Sequence, residues 1–151
     1  MKFLKIAAIL CIVLLTFSCE NGSNDENGTN ILEGSKWSLL GFQPHDTQIV
    51  EFKPENIREM NIEFTDNKLF HAISSCNTID GEYSVQDPDS LMIENMYLTL
   101  VGCPNDTAYN WEEKYCFLLK NAKNFHIVGD SLIITTKLST DIIFLAEYLT
   151  N

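Results

Sequence analysis

Basic residues are scarce in this sequence. Ten Lys+Arg stand against 21 Asp+Glu in 151 residues, a formal charge of −11. Nucleic-acid binding needs clustered cations facing phosphate, so this balance excludes nucleic acid as a partner. Glycine and proline are also few, seven and four, which excludes a collagen-like or wholly disordered chain. The length excludes a TIM barrel. Beyond the N-terminus no apolar run approaches the ~18 residues that would cross a bilayer as a helix.

The motifs of catalysis and metal binding are missing too. There is no Cys-x-x-Cys, no His-x-x-x-His, no carboxylate-rich ligand loop, no glycine-rich phosphate loop and no Gly-x-Ser-x-Gly elbow. His45, His71 and His126 are isolated from one another. A redox thiol would want a resolving partner two or three residues away, and none is present. Glu112 and Glu113 are neighbours on a predicted helix, where adjacent side chains diverge by about 100°, so they read as a solvated face and not an acid/base pair. The expectation is a protein that is not an enzyme and has no cofactor or metal.

What is present begins with an address. Lys2 and Lys5 precede Ile6 to Phe17, a stretch without charge. A helix of that length rises roughly 18 Å, short of the ~30 Å of hydrocarbon. A positive start before a short apolar run is a secretory signal peptide, assigned to residues 1–18. Ser18-Cys19 then sets a small residue before a cysteine. This resembles a bacterial lipobox, where signal peptidase II cuts before a diacylglycerol-bearing cysteine. Thr16 and Phe17 depart from its usual leucine and small residue, and Cys11, behind bulky Leu10, fits worse. The alternative is ordinary cleavage with Cys19 a free thiol. Each buried CH₂ of an acyl chain contributes roughly 0.8 kcal/mol, so two or three chains on Cys19 would fix the protein to a membrane. Glu20 to Asn30 has no apolar residue and reads as a disordered tether within residues 19–34. Cleavage leaves eight basic against 21 acidic residues, net −13, a well-solvated surface that anionic lipid repels. The predicted location is the bacterial envelope, anchored at the outer membrane on its periplasmic face or at the cell surface.

Residues 35–151 read as one domain. Short strands are predicted at Trp37–Phe42, Gln48–Phe52, Asn61–Thr65, Lys68–Ile73, Glu82–Val85, Leu91–Ile93, Met96–Val101, Phe125–Val128, Ser131–Thr136 and Ile142–Tyr148. Asp66-Asn67 and Gly129-Asp130 read as two-residue hairpin turns. Between strands, Ala108, Trp111, Tyr115, Leu118, Leu119 and Ala122 recur at helical spacing behind a cap at Asp106 or Thr107. A single helix lying on a curled antiparallel sheet is an α+β architecture.

The order of residues is similar to the META or HslJ-like family of small envelope domains. The resemblance rests on Trp37, Phe64-Thr65-Asp66-Asn67, Ser75-Cys76-Asn77-Thr78, Gly81-Glu82-Tyr83, Asp89-Ser90-Leu91, Leu98-Thr99 leading to Cys103-Pro104, the helix with Glu113, Phe117 and Leu118, Phe125-His126-Ile127, Gly129-Asp130-Ser131-Leu132 and Ile142-Ile143-Phe144. It implies a strongly bent antiparallel sheet forming a partly open barrel with one helix packed on it. It also implies no established enzymatic activity, and contexts of envelope stress, antibiotic tolerance, motility or virulence. The family's Gly-Cys-Asn is Ser75-Cys76-Asn77 here, which would strain Ser75 if that position needed positive φ.

Cys76, Cys103 and Cys116 remain after export, in an oxidising compartment. Cys76 and Cys103 occupy the family's cysteine positions, so the resemblance implies that pair. Cys103 with Cys116, or three reduced thiols, are the alternatives. Two functions stay open. One is a non-catalytic, lipid-anchored envelope protein, an accessory or stress-related factor that contacts an unidentified envelope protein. The other is a carrier of an apolar small ligand such as a lipid tail, with Trp37, Phe64, Phe70, Tyr83 and Trp111 lining a cavity and not closing a core.

Overall fold

The computed structural model describes residues 30–147 apart from Pro54, Asn56 and Asp87. The signal peptide, Cys19 and the rest of the tether before Asn30 lie outside the described residues, as does Tyr148. Nine strands and one helix follow in the order β1 (Ser35–Pro44), β2 (Val50–Glu51), β3 (Asn61–Phe64), β4 (Leu69–Ile73), β5 (Thr78–Gln86), β6 (Ser90–Leu98), α1 (Asp106–Lys120), β7 (Ala122–Val128), β8 (Ser131–Thr136) and β9 (Thr140–Ala146).

Every pairing is antiparallel. The sheet runs β2-β1-β3-β4-β5-β6-β7-β8-β9, and β9 returns to β1, so eight strands close into a barrel with β2 appended to β1. Closure is firm at β1–β9, where seven residue pairs run from Trp37↔Ala146 to Pro44↔Thr140. It is thin at β6–β7, joined through Ser90↔Asn124 alone. There α1 packs against β6. The curled sheet with one helix thus matches the expectation, and its open part reduces to this sparse seam.

Alternation drives the closure. Ile62 and Phe64 on β3, Phe70 and Ala72 on β4, and Ile79 and Tyr83 on β5 all point inward and are buried, the period-two pattern of a sheet with one wet face. At Gly81 two strands come into close approach. A Cβ there would lie 2.6 Å from Phe70 Cε1, so the absent side chain lets the Phe70 ring lie over β5. Opposite it, β6 carries an extra residue, since Asp80 pairs with Tyr97 but Glu82 with Glu94. Asn95 takes a φ of 48° in this bulge. The two predicted strands at Leu91–Ile93 and Met96–Val101 are therefore one strand bent by a bulge.

Several boundaries differ from the sequence reading. The Asp66-Asn67 turn takes in a third residue, Asp66–Lys68, with Asn67 and Lys68 both at positive φ. The second strand shrinks to Val50–Glu51. The helix cap is Asn105, whose side chain accepts from the Ala108 N–H at 2.8 Å, not Asp106 or Thr107. The packed domain also takes in residues assigned to the tether: Leu32 is fully buried, and Asn30 Nδ2 donates to the Tyr83 hydroxyl at 3.1 Å.

One contiguous apolar cluster fills the barrel and the underside of α1. Trp37, Phe64, Phe70 and Tyr83 all belong to it, with Phe64 edge-on to Tyr83 at 4.9 Å between centroids. Trp111 is half-buried at its margin, stacked on Phe42 and edge-on to Phe52, each at 5.0 Å. These aromatics close a core. Phe64→Ala should therefore cost about 3–5 kcal/mol in urea denaturation, while Leu100→Ala, at an exposed loop position, should stay within about 0.5 kcal/mol.

Candidate functional site

Of the residues that carry the resemblance, Ser75-Cys76-Asn77, Thr99 and Cys103 meet at one corner, where the β4–β5 turn, the β6–α1 loop and the second turn of α1 come together; the others are spread around the barrel. Ser74 to Asn77 form the turn, closed by a Ser74 N–H bond to Asn77 O at 2.9 Å. Glu112 reaches into it from α1. Its Oε2 accepts from the Ser74 hydroxyl and from the Asn77 backbone N–H, the latter at 2.8 Å. Its Oε1 accepts from Asn77 Nδ2, also at 2.8 Å. Asn77 then turns its other amide atom outward: Oδ1 accepts from the Val101 N–H at 2.8 Å and the Thr99 hydroxyl at 3.1 Å. One buried asparagine thus ties the turn, the helix and the loop together.

A disulfide joins Cys76 to Cys103, with Cα atoms 4.9 Å apart; this is the pair that the resemblance implies. Closing a loop of this length stabilises a fold by about 3–4 kcal/mol on the chain-entropy account. Cys103 Sγ lies 3.9 Å from Glu112 Oε1. Ser75 does not adopt positive φ, so the departure from the family's glycine carries no backbone strain. Its hydroxyl instead donates to Ala108 O at 2.6 Å, adding a second tie between turn and helix.

Glu112 corrects the sequence reading. It was expected on a solvated face, yet it is buried, and only Glu113 is exposed. The signal was present in the spacing. Glu112 stands four residues after Ala108 and three before Tyr115, on the buried stripe itself. Among the described residues it has no ion-pair partner; neutral donors satisfy it.

The histidines are placed elsewhere. His45 pairs with Asp141 at 3.2 Å and His71 with Asp80 at 2.7 Å, both on the outside. His126 shares an open hollow with His45, Asp46 and Asp141. Among the described residues, Cys76, Cys103 and Glu112 are the group whose ligand-type atoms could meet on one ion. Cys116 is free and buried. Burial, helped by the nearby Glu112, pushes its thiol up to about 11.

Beside the corner the surface turns apolar. Leu98, Tyr109, Glu112, Glu113, Cys116, Phe117 and Lys120 line an open hollow of about 320 Å³. From Leu98 the chain runs straight into Leu100 and Val101, exposed to 97% and 80%.

A model of the META domain matches residues 30–147. This chain belongs to the META domain family. Solved structures carry the same fold at low identity. A Burkholderia xenovorans protein solved by NMR is 14% identical with a TM-score of 0.65, aligning 78% of this chain with 84% of that one. A DUF4847 family protein from Bacteroides vulgatus, a crystal structure, is 19% identical with a TM-score of 0.56 over 76% of this chain and 94% of its own. A third protein, solved by NMR, is 16% identical with a TM-score of 0.61 over 80% and 96%. No curated protein matches the chain.

Two outcomes follow for this META domain. Asn77→Ala should lower stability by about 1–3 kcal/mol in urea, because the buried Glu112 loses one of its three donors while the Thr99 hydroxyl and the Val101 N–H lose their acceptor. At pH 8 the Cys116 thiol should alkylate at least about a hundredfold more slowly in the native protein than after unfolding, since a raised thiol pKa leaves little thiolate. Alkylation rates followed by mass spectrometry check this.

Proposed function

We propose that this protein is a non-catalytic, lipid-anchored envelope protein whose META domain serves as an accessory, stress-related factor by contacting another envelope protein. The carrying observation is the braced apolar loop. Leu100 and Val101 are almost wholly in water, yet the loop that presents them is fixed at three points: the Thr99 hydroxyl and Val101 N–H on Asn77 Oδ1, and Cys103 in the disulfide. Apolar side chains held rigidly in solvent lose little conformational freedom on binding, which favours association. Tyr109 and Phe117, each more than half exposed, extend this surface along α1.

Three further points support the reading. The filled core leaves the barrel's aromatics packed on one another, which favours surface contact over carriage of a lipid tail. The bonds of Glu112 come from a turn it holds in place, a structural task more than a chemical one. Export and acylation at Cys19 rest on the charged start, the short apolar run and Ser18-Cys19. Together they predict a partner in the same envelope, reached from the outer membrane.

A photo-crosslinking residue placed at position 100 or 117 in intact cells should give one discrete adduct, and none at Val128 on the β7–β8 hairpin. Leu100→Asp should reduce the adduct at position 117 about tenfold, the loss of one modest interface anchor. Adducts at neither position, or a lipid that co-purifies with the domain in native mass spectrometry, would turn the assignment toward the carrier. A labelled fatty acid should enter the wild type and not Cys19→Ala.

A further inference from the structure

The disulfide corner holds an unusual set of donors. Cys76 Sγ, Cys103 Sγ and a Glu112 carboxylate oxygen all lie within 4.8 Å of one another. In a tetrahedral zinc site, with metal–ligand bonds of 2.0–2.3 Å, neighbouring ligand atoms are about 3.3–3.8 Å apart. The 3.9 Å between Cys103 Sγ and Glu112 Oε1 is already close to that edge. Only the two sulfurs, now bonded to each other, need to part.

We infer that reduction of Cys76–Cys103 converts this corner into a binding site for a thiophilic divalent cation such as zinc, held by Cys76 Sγ, Cys103 Sγ and Glu112 Oε1. The reduction is a two-electron exchange with a dithiol reductant. The reductant's two thiols become its own disulfide, and their two electrons and two protons convert the cystine into two thiols. The cation then displaces both thiol protons to solvent and forms two metal–sulfur bonds. Cys76 and Cys103 are each only half-buried, so reductant and ion can reach them.

Charge balance supports the exchange. The two charges of a divalent cation are offset by the two thiolates that replace the neutral disulfide. The buried surroundings therefore meet no new net charge. Orientation is also in place. Ser74 and the two Asn77 donors fix the carboxylate from behind, as the outer shell of a metal site fixes its ligands. Two thiolates select zinc or cadmium over magnesium or calcium, which take oxygen donors. The ion would cross-link the turn to the β6–α1 loop in the disulfide's place.

Cadmium is a suitable probe, through its sulfur-to-metal charge-transfer absorption in the ultraviolet. The full-length protein in detergent, reduced with a phosphine and freed of it, should bind one cadmium per chain with that band; the oxidised protein should not. Cys116→Ala should leave the band unchanged, whereas Cys76→Ser and Cys103→Ser should each abolish it. Glu112→Gln, with its near-ultraviolet circular dichroism intact, should bind zinc roughly 10–100-fold more weakly in competition with a chromophoric chelator. No band in the reduced wild type, a band that survives Cys103→Ser, or unchanged zinc affinity in Glu112→Gln would each overturn the site. So would loss of near-ultraviolet structure on reduction that zinc fails to restore, because the site requires the folded corner.

Discussion

A carboxylate withdrawn from water costs several kcal/mol unless donors surround it, and that requirement organises the heart of this fold. Glu112 accepts three hydrogen bonds, all from the turn between β4 and β5. Since Glu112 lies on α1, satisfying it fixes the helix against the barrel. Since two of the three donors belong to Asn77, the same demand fixes the residue that orders the β6–α1 loop. Helix position, turn shape and loop course are thus settled together. An apolar residue at Glu112 could pack, but it would set neither the turn nor the loop.

The barrel interior and this corner divide the work. Inside, aromatic and aliphatic side chains interlock across the sheet, and ring pairs such as Tyr115 with Phe144, 6.2 Å between centroids, couple the helix to the last strand. That packing is generic: it supplies stability without regard to what the protein meets. The corner is particular. It places a disulfide, a buried acid and two exposed aliphatic side chains within one corner of the fold.

Much of this was legible in the residues. The inward alternation on β3 and β4 and the helix spacing announced a curled sheet with one helix, and Cys76 and Cys103 stood where the family resemblance implied a pair. Other features were hidden for physical reasons. Strand-like Leu91–Ile93 and Met96–Val101 read as two elements because a bulge at Asn95 breaks the alternation without ending the strand. The helix cap fell to Asn105 instead of Asp106 because the capping residue stays extended while its side chain turns back to the first free N–H groups. Glu112 looked solvated because charge outweighed position in the reading; only the folded turn supplies the donors that let a carboxylate occupy the stripe. Leu32 joined the core from a stretch whose composition gave no hint of order beyond a single leucine and isoleucine.

The ring also closes between its first strand and its last. Trp37 meets Ala146 and Pro44 meets Thr140, over ninety residues apart in every pair, and contacts so distant along a chain are slow to form. A polypeptide delivered N-terminus first, from a ribosome or through a narrow pore, could pair β1 with β2 and β3 early, but the β1–β9 seam would stay open until Thr140–Ala146 had come through. Thr140–Ala146 therefore acts as a latch: the barrel cannot close until that strand is in place.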